Sequence, residues 1–306
     1  MDEALPVNHG AGSGREARPV GTPGRGLLAR FPLLRRPPVL LSGLVLALFL
    51  AAAVLAPLLA PHDPNLQSLR DRLAPPVWLG GSPEHPLGTD NLGRDVLSNL
   101  IYGSRLSLTI GLVTMVLSAA IGSAAGIVAG YYGGTTDTVI MRVVDVWLAF
   151  PSLLLALIFA AVLGQGVTSL IIALVLTSWP LYTRVIRSEV LSLREREFIT
   201  AIRALGSPHR RVLTRHLLPN VLPLLLVLAT LQLGVTIITE ASLSFLGVGV
   251  DPSIPTWGSM LSDGRRYMNN AWWLTAFPGI AISIVVLAIN VCGDYLRDRF
   301  DPRSRF

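Results

Sequence analysis

Residues 184–220 read RVIRSEVLSLREREFITAIRALGSPHRRVLTRHLLPN, a charged stretch set between two long apolar ones, and its pattern is too regular for a simple connection. From Arg184 to Leu205, apolar Val185, Ile186, Val190, Leu191, Leu193, Phe198, Ile199 and Ile202 recur among charges and helix formers. That periodicity predicts an amphipathic helix lying along a membrane surface. Gly206 supplies a helix stop, Ser207 a side-chain oxygen able to cap the next helix, and Pro208 a backbone φ suited to a first turn. The stretch therefore reads as two helices joined by a sharp turn that projects from the membrane.

Working outward, the chain of 306 residues is 51% hydrophobic and 14% charged, with a mean hydropathy of +0.57. That is too apolar for a soluble domain that must cover itself with charge, so an all-α integral membrane protein is expected. Apolar runs cover Val39 to Ala60, Leu106 to Gly130, Val139 to Leu163, Leu170 to Ile186, Val221 to Phe245 and Leu274 to Cys292, six candidate spans. Each approaches the roughly 20 residues needed to cross about 30 Å of hydrocarbon. The third contains Arg142, Asp145 and Pro151, and the fourth is short and carries Pro180, so their limits are the least defined. The expected organisation is a basic disordered tail at 1–38, a first span at 39–60, an external loop at 61–105, a five-helix core at 106–292 that includes the 184–220 connection, and a cytoplasmic tail at 293–306. A cleavable signal would need a shorter leader and apolar core than the first run has, which favours an uncleaved span.

All 25 basic residues are arginine. Without lysine there is no phosphate-cradling Walker loop, so ATP hydrolysis coupled to this chain would reside on another polypeptide. The arginines sort by side: six in the N-terminal tail, eight in the connection after span four and four after span six, against four in the 61–105 loop and two after span five. Because arginine-rich connections stay in the cytoplasm, both termini are expected there. The net charge of +6 is thereby explained without nucleic acid, which would call for a basic face on a soluble domain. A single cysteine, Cys292, rules out an intrachain disulfide and a cysteine metal cluster, and reads as a small packing residue.

Several motifs resemble one family. Ala204-Leu205-Gly206, followed at an interval by Leu218-Pro219, is similar to the cytoplasmic loop of type I ABC importer permeases, although this sequence has Thr200-Ala201-Ile202 at the loop's opening and His216 where an aliphatic is usual. Three further stretches, His85-Pro86-Leu87-Gly88-Thr89-Asp90-Asn91-Leu92-Gly93-Arg94-Asp95, Glu240-Ala241-Ser242-Leu243-Ser244-Phe245-Leu246-Gly247 and Pro255-Thr256-Trp257-Gly258, resemble the second permease subunit of the peptide and nickel branch. The resemblance implies that the loop inserts into a groove on an ATPase, with Arg203, Ala204, Leu205, Gly206, Ser207, Pro208 and Arg211 forming the contact. It also implies a second homologous permease subunit, two ATP-binding cassette ATPase subunits and an extracytoplasmic substrate-binding protein as partners.

Other residues have a sharp and a bland reading. Gln232, Thr236, Glu240 and Ser244 recur every four residues along span five, a polar stripe that either lines a pathway or bonds between helices. Residues Asp90 to Asp95 lack the ligand spacing of a calcium loop and read as a helix start capped by Thr89 or Asp90, with contact to an external binding protein as the minor alternative. His62 and His85 sit in loops beside prolines, where a ligand role is not expected. The six tryptophans mostly fall near span ends and read as interfacial anchors, and Arg203, Arg210, Arg211 and Arg215 suit either lipid headgroups or an acidic partner groove.

The expected function is therefore a permease subunit in a prokaryotic cell membrane that imports dipeptides or oligopeptides by alternating access, or nickel or another small solute. No catalytic residue, cofactor or metal ligand is expected in the chain. A secondary transporter would show inverted repeats with helices broken at matching places, and a membrane enzyme a nucleophile or metal constellation within the spans; neither pattern is found.

Overall fold

The computed structural model describes residues 37–251 and 253–300; the basic tail up to Arg36 and the last residues, 301–306, lie outside the described residues. Helices α1 (Pro37–Val54) and α2 (Ala56–Leu59) are followed by a long loop and then α3 (Val96–Tyr132). Next come α4 (Gly134–Leu148), α5 (Ser152–Leu163), α6 (Val167–Arg194) and α7 (Glu197–Ala204). After the Gly206 turn, α8 (His209–Arg211) and a π-helical turn (Val212–Leu217) run on into α9 (Leu218–Phe245), and α10 (Trp257–Gly264) and α11 (Trp273–Phe300) complete the described residues. Among the described residues five helical rods are long and apolar enough to cross a membrane, or six if α4 and α5 form one broken span. Exposed Leu41, Leu44 and Leu48 on α1 would be costly in water and suit lipid.

The central seam joins α3 to α6. Gly122, Gly126 and Gly130 recur every fourth residue on one face of α3, and a Cβ on them would come within 2.5 Å of the Trp179 carbonyl, 2.7 Å of the Thr183 carbonyl and 2.8 Å of the Val190 Cβ. Small residues at this spacing let two backbones approach, which in lipid supplies the dispersion contacts that hold helices together. Pro180 lies inside α6, as within the expected fourth span, and α6 runs through it. The proline cannot donate to the carbonyl of Leu176, and that carbonyl instead accepts the Trp147 indole Nε1–H at 2.7 Å.

Three sequence expectations need correction. The third predicted span is not straight: α4 and α5 meet at 89°, with the chain turning at Phe150-Pro151, where proline blocks helix continuation. The helix expected on the membrane surface from Arg184 to Leu205 is instead an extension of α6 to Arg194, a break at Glu195-Arg196, and the short α7. The extension leans on α3 and α4 rather than on lipid: Arg187 pairs with both carboxylate oxygens of Asp137, Arg184 reaches Asp145 at 2.5 Å, and Arg194 donates to the Gly130 carbonyl at 3.0 Å. The tryptophans are not all anchors, since Trp257 is fully buried, with its indole N–H on the Leu100 carbonyl, and Trp273 is nearly so.

A fourth correction concerns the start of α3. Asp95, not Thr89 or Asp90, is the cap, accepting the Ser98 N–H at 2.7 Å. Thr89 and Asp90 are used one step earlier to fold the loop onto itself. The Thr89 hydroxyl donates to the Asp71 carbonyl and accepts from Ala74, while Asp90 Oδ1 accepts from the Leu92 and Arg94 amides and Oδ2 pairs with the Arg94 guanidinium at 2.5 Å. Arg94 also reaches Asp263 on α10 at 3.4 Å; burial holds the Asp263 carboxyl above the usual carboxylate range, and the guanidinium offsets this only in part.

Candidate coupling turn and the buried polar stripe

At the turn, φ at Gly206 is +76°, a conformation that glycine adopts without a Cβ clash. The Gly206 N–H donates to the Arg203 carbonyl at 3.0 Å and the Ser207 N–H to the Ile202 carbonyl at 3.3 Å, the paired bonds of a Schellman cap. The Ser207 backbone N–H closes α7, while its side chain does not cap α8, whose N-cap is Pro208 with no side-chain bond. Ala204, Gly206, Pro208 and Arg211 are exposed, as is Leu205 at 85%, so an apolar tip stands among Arg203, Arg210, Arg211 and Arg215.

What holds this tip is a rigid base. Ile199, Val212, Leu217 and Val221 are buried in one cluster with Ile127 and Tyr131 of α3 and Ile186, Val190 and Leu193 of α6. The Tyr131 hydroxyl lies 2.7 Å from His209 Nδ1, and the Arg203 guanidinium sits over the Tyr131 ring at 5.7 Å. The base of the tip is thus packed directly onto α3 and α6. Tyr131, His209 and Arg194 escaped the sequence reading. The aromatic pair Tyr131-Tyr132 at the end of an apolar run was a visible signal, but its partner lies 78 residues away.

The polar stripe of α9 is only partly continuous. Glu240 is fully enclosed: Ser107 of α3 donates to Oε2 at 3.2 Å and Ser244 to Oε1 at 2.9 Å. The Ser107 hydroxyl oxygen also accepts the N–H of Trp257, at the start of α10, at 3.2 Å. Thr236 is buried and donates back to the Gln232 carbonyl at 2.8 Å, and Gln232 is half-buried. Glu240 and Ser244 thus meet, while Thr236 and Gln232 are linked through the backbone only. The Pro255-Thr256-Trp257-Gly258 motif is a helix start: Thr256 and Ser259 form a reciprocal capping box, and Gly258 lets α10 lie against α9, where a Cβ would be 2.7 Å from Ala241 Cα.

Residues 122–306 match the family described as "Binding-protein-dependent transport system inner membrane component", and residues 27–76 match "N-terminal TM domain of oligopeptide transport permease C". The chain is 44% identical over 267 residues to the "Di/tripeptide transport system permease protein DppC" of Pseudomonas aeruginosa, covering 87% of this chain and 88% of that one. It is 39% identical over 286 residues to the "Glutathione transport system permease protein GsiD" of Pectobacterium atrosepticum, covering 94% and 93%. Among solved structures, an inward-facing MetNI methionine ABC transporter superposes with a TM-score of 0.55 at 20% identity, covering 67% of this chain and 98% of that chain, a likeness of fold.

Proposed function

The chain belongs to the binding-protein-dependent transport system inner membrane component family, and on that premise we propose that it imports di- or oligopeptides, passing ATP-driven movement from partner ATPases to its spans through the Gly206 turn. As a family member it is a multi-pass permease and not a catalytic enzyme. The substrate class rests on relatives whose names specify peptide or glutathione transport at 39–44% identity over most of the chain. Hydrolysis would reside on two ATPase subunits, a second permease would complete the pathway, and an external binding protein would deliver solute. The arginine distribution supports cytoplasmic termini and a cytoplasmic turn.

The observation that carries the coupling reading is the Schellman-capped tip, with Leu205 exposed and its base locked onto α3 and α6. The residues assigned to the contact are Arg203, Ala204, Leu205, Gly206, Ser207, Pro208 and Arg211. For the α9 stripe, the enclosure of Glu240 favours a bracket between α9, α3 and α10 over a pathway wall. Gly206→Val places a β-branched residue at positive φ and is expected to yield an inserted, protease-resistant chain that assembles weakly with the ATPases and loses ATP-dependent peptide uptake in proteoliposomes. Normal association and uptake in a well-folded Gly206→Val protein would show that the turn is only a surface hairpin.

A further inference from the structure

At the end of α3 opposite the Gly206 turn, three side chains distant in sequence converge. His62 follows α2, His85 lies in the loop, and Asp95 caps α3; one ligand atom from each lies within 4.8 Å of the others. His85 Nδ1 is 3.1 Å from Asp95 Oδ1, and His62 Nδ1 is 4.0 Å from Oδ2, too far for a hydrogen bond. The two imidazoles lie against each other at a tilt of 38°, with centroids 4.8 Å apart. The carboxylate is wholly buried, whereas the His62 and His85 side chains are 30% and 13% exposed, which leaves a route from solvent.

Two features distinguish this cluster from an incidental contact. His62 Nδ1 is buried and has no hydrogen-bond partner, an orphan that buried polar atoms seldom remain. The ligand candidates are also braced from behind. Ser98 donates both its N–H and its hydroxyl to Asp95 Oδ2 at 2.7 Å, and its hydroxyl oxygen accepts the backbone N–H of His62 at 3.0 Å. The bonds to Oδ2 are of the kind that orient a ligating carboxylate, and the backbone bond anchors the chain at His62.

We propose that His62, His85 and Asp95 form a binding site for a divalent transition metal ion of the zinc class. Two imidazoles and one carboxylate are a borderline donor set that suits zinc, whereas calcium and magnesium require several oxygens. Zinc takes nitrogen and oxygen at about 2.0–2.2 Å, which sets ligand atoms roughly 3.3 Å apart. The 3.1 Å pair already meets that spacing. His62 closes the rest by moving on the order of an ångström, a change within reach of its χ rotations. Its Nδ1 lone pair then meets the ion, Asp95 keeps Oδ2 on Ser98, and water fills the fourth position. The ion would pin the chain leaving the first helices and the 85–95 loop to the start of α3.

The test is zinc titration of the purified full-length chain, without a histidine tag, in lipid nanodiscs by calorimetry, with zinc-edge X-ray absorption on the loaded protein. One tight equivalent is expected, with two imidazoles in its shell and a Tm raised by the metal. His62→Ala is the deciding variant, because in the structure its ring makes no hydrogen bond whose loss would unfold the loop. It should weaken zinc binding at least about tenfold, the smallest loss that even outer-shell changes bring, and abolish the Tm shift. His85→Ala should do the same, and His216→Ala should leave both unchanged. If the wild type retains no zinc, or if a folded His62→Ala/His85→Ala protein retains it equally, the site does not exist.

Discussion

Glu240 is the residue whose two readings diverge most in what they predict. Its carboxyl joins Ser107 of α3 and Ser244 of its own helix inside a fully enclosed space. Glu240→Gln retains the shape and an acceptor oxygen, so a bracket role predicts nearly unchanged thermal stability and peptide uptake. Glu240→Ala leaves both hydroxyls without their partner and should lower stability by about 1–3 kcal/mol, visible as a fall in Tm in detergent. If Glu240→Gln is fully stable and yet abolishes uptake, its charge belongs to the pathway. Tyr131 poses a narrower question. Tyr131→Phe preserves the ring beneath Arg203 and removes only the bond to His209, so it should cost about 1 kcal/mol and reduce coupling efficiency, read as uptake per ATP hydrolysed. Unaltered coupling in that variant would confine the link between turn and α3 to apolar packing.

At the scale of elements, the seam between α3 and α6 determines whether the turn can move the spans together. Gly126 meets the Thr183 carbonyl and the Arg187 amide across that seam, and no side chain can be added without separating the helices. Gly126→Leu should therefore destabilise the protein by about 1–3 kcal/mol or more, measured as the midpoint of thermal aggregation in detergent, and uptake should fall with it. Unchanged stability would mean that the seam is looser than the carbonyl distance implies. The GxxxGxxxG spacing stood in the sequence at Gly122, Gly126 and Gly130, but a glycine pattern does not name its partner. That partner is α6, extended to Arg194 by ion pairs from α4, and those pairs join residues 39 and 50 positions apart.

For the whole molecule, the arginine division predicts that the Gly206 turn is cytoplasmic and that the 61–95 loop and α10 are outside. In a Cys292→Ser background, Ser82→Cys should react with an impermeant maleimide in intact cells, and Leu205→Cys only after lysis; labelling of Leu205→Cys from outside would invert the topology. The sequence alone determined the membrane class, the apolar runs and the Gly206 stop, because each depends on local quantities: hydrophobic length, charge sign and the steric freedom of one residue. It also carried the family resemblance, in motifs read without knowing why they are built as they are. Only the tertiary structure decided that Asp95 rather than Thr89 or Asp90 caps α3, that the third run bends by 89°, that Trp147 satisfies the carbonyl Pro180 frees, and that His62 and His85 meet on Asp95. In several of these the outcome depends on a partner brought from elsewhere in the chain: Trp147 for the carbonyl that Pro180 frees, Asp71 and Ala74 for Thr89, and Asp95 for His62 and His85. A local pattern states what a residue can bond, whereas the fold states which bond is within reach.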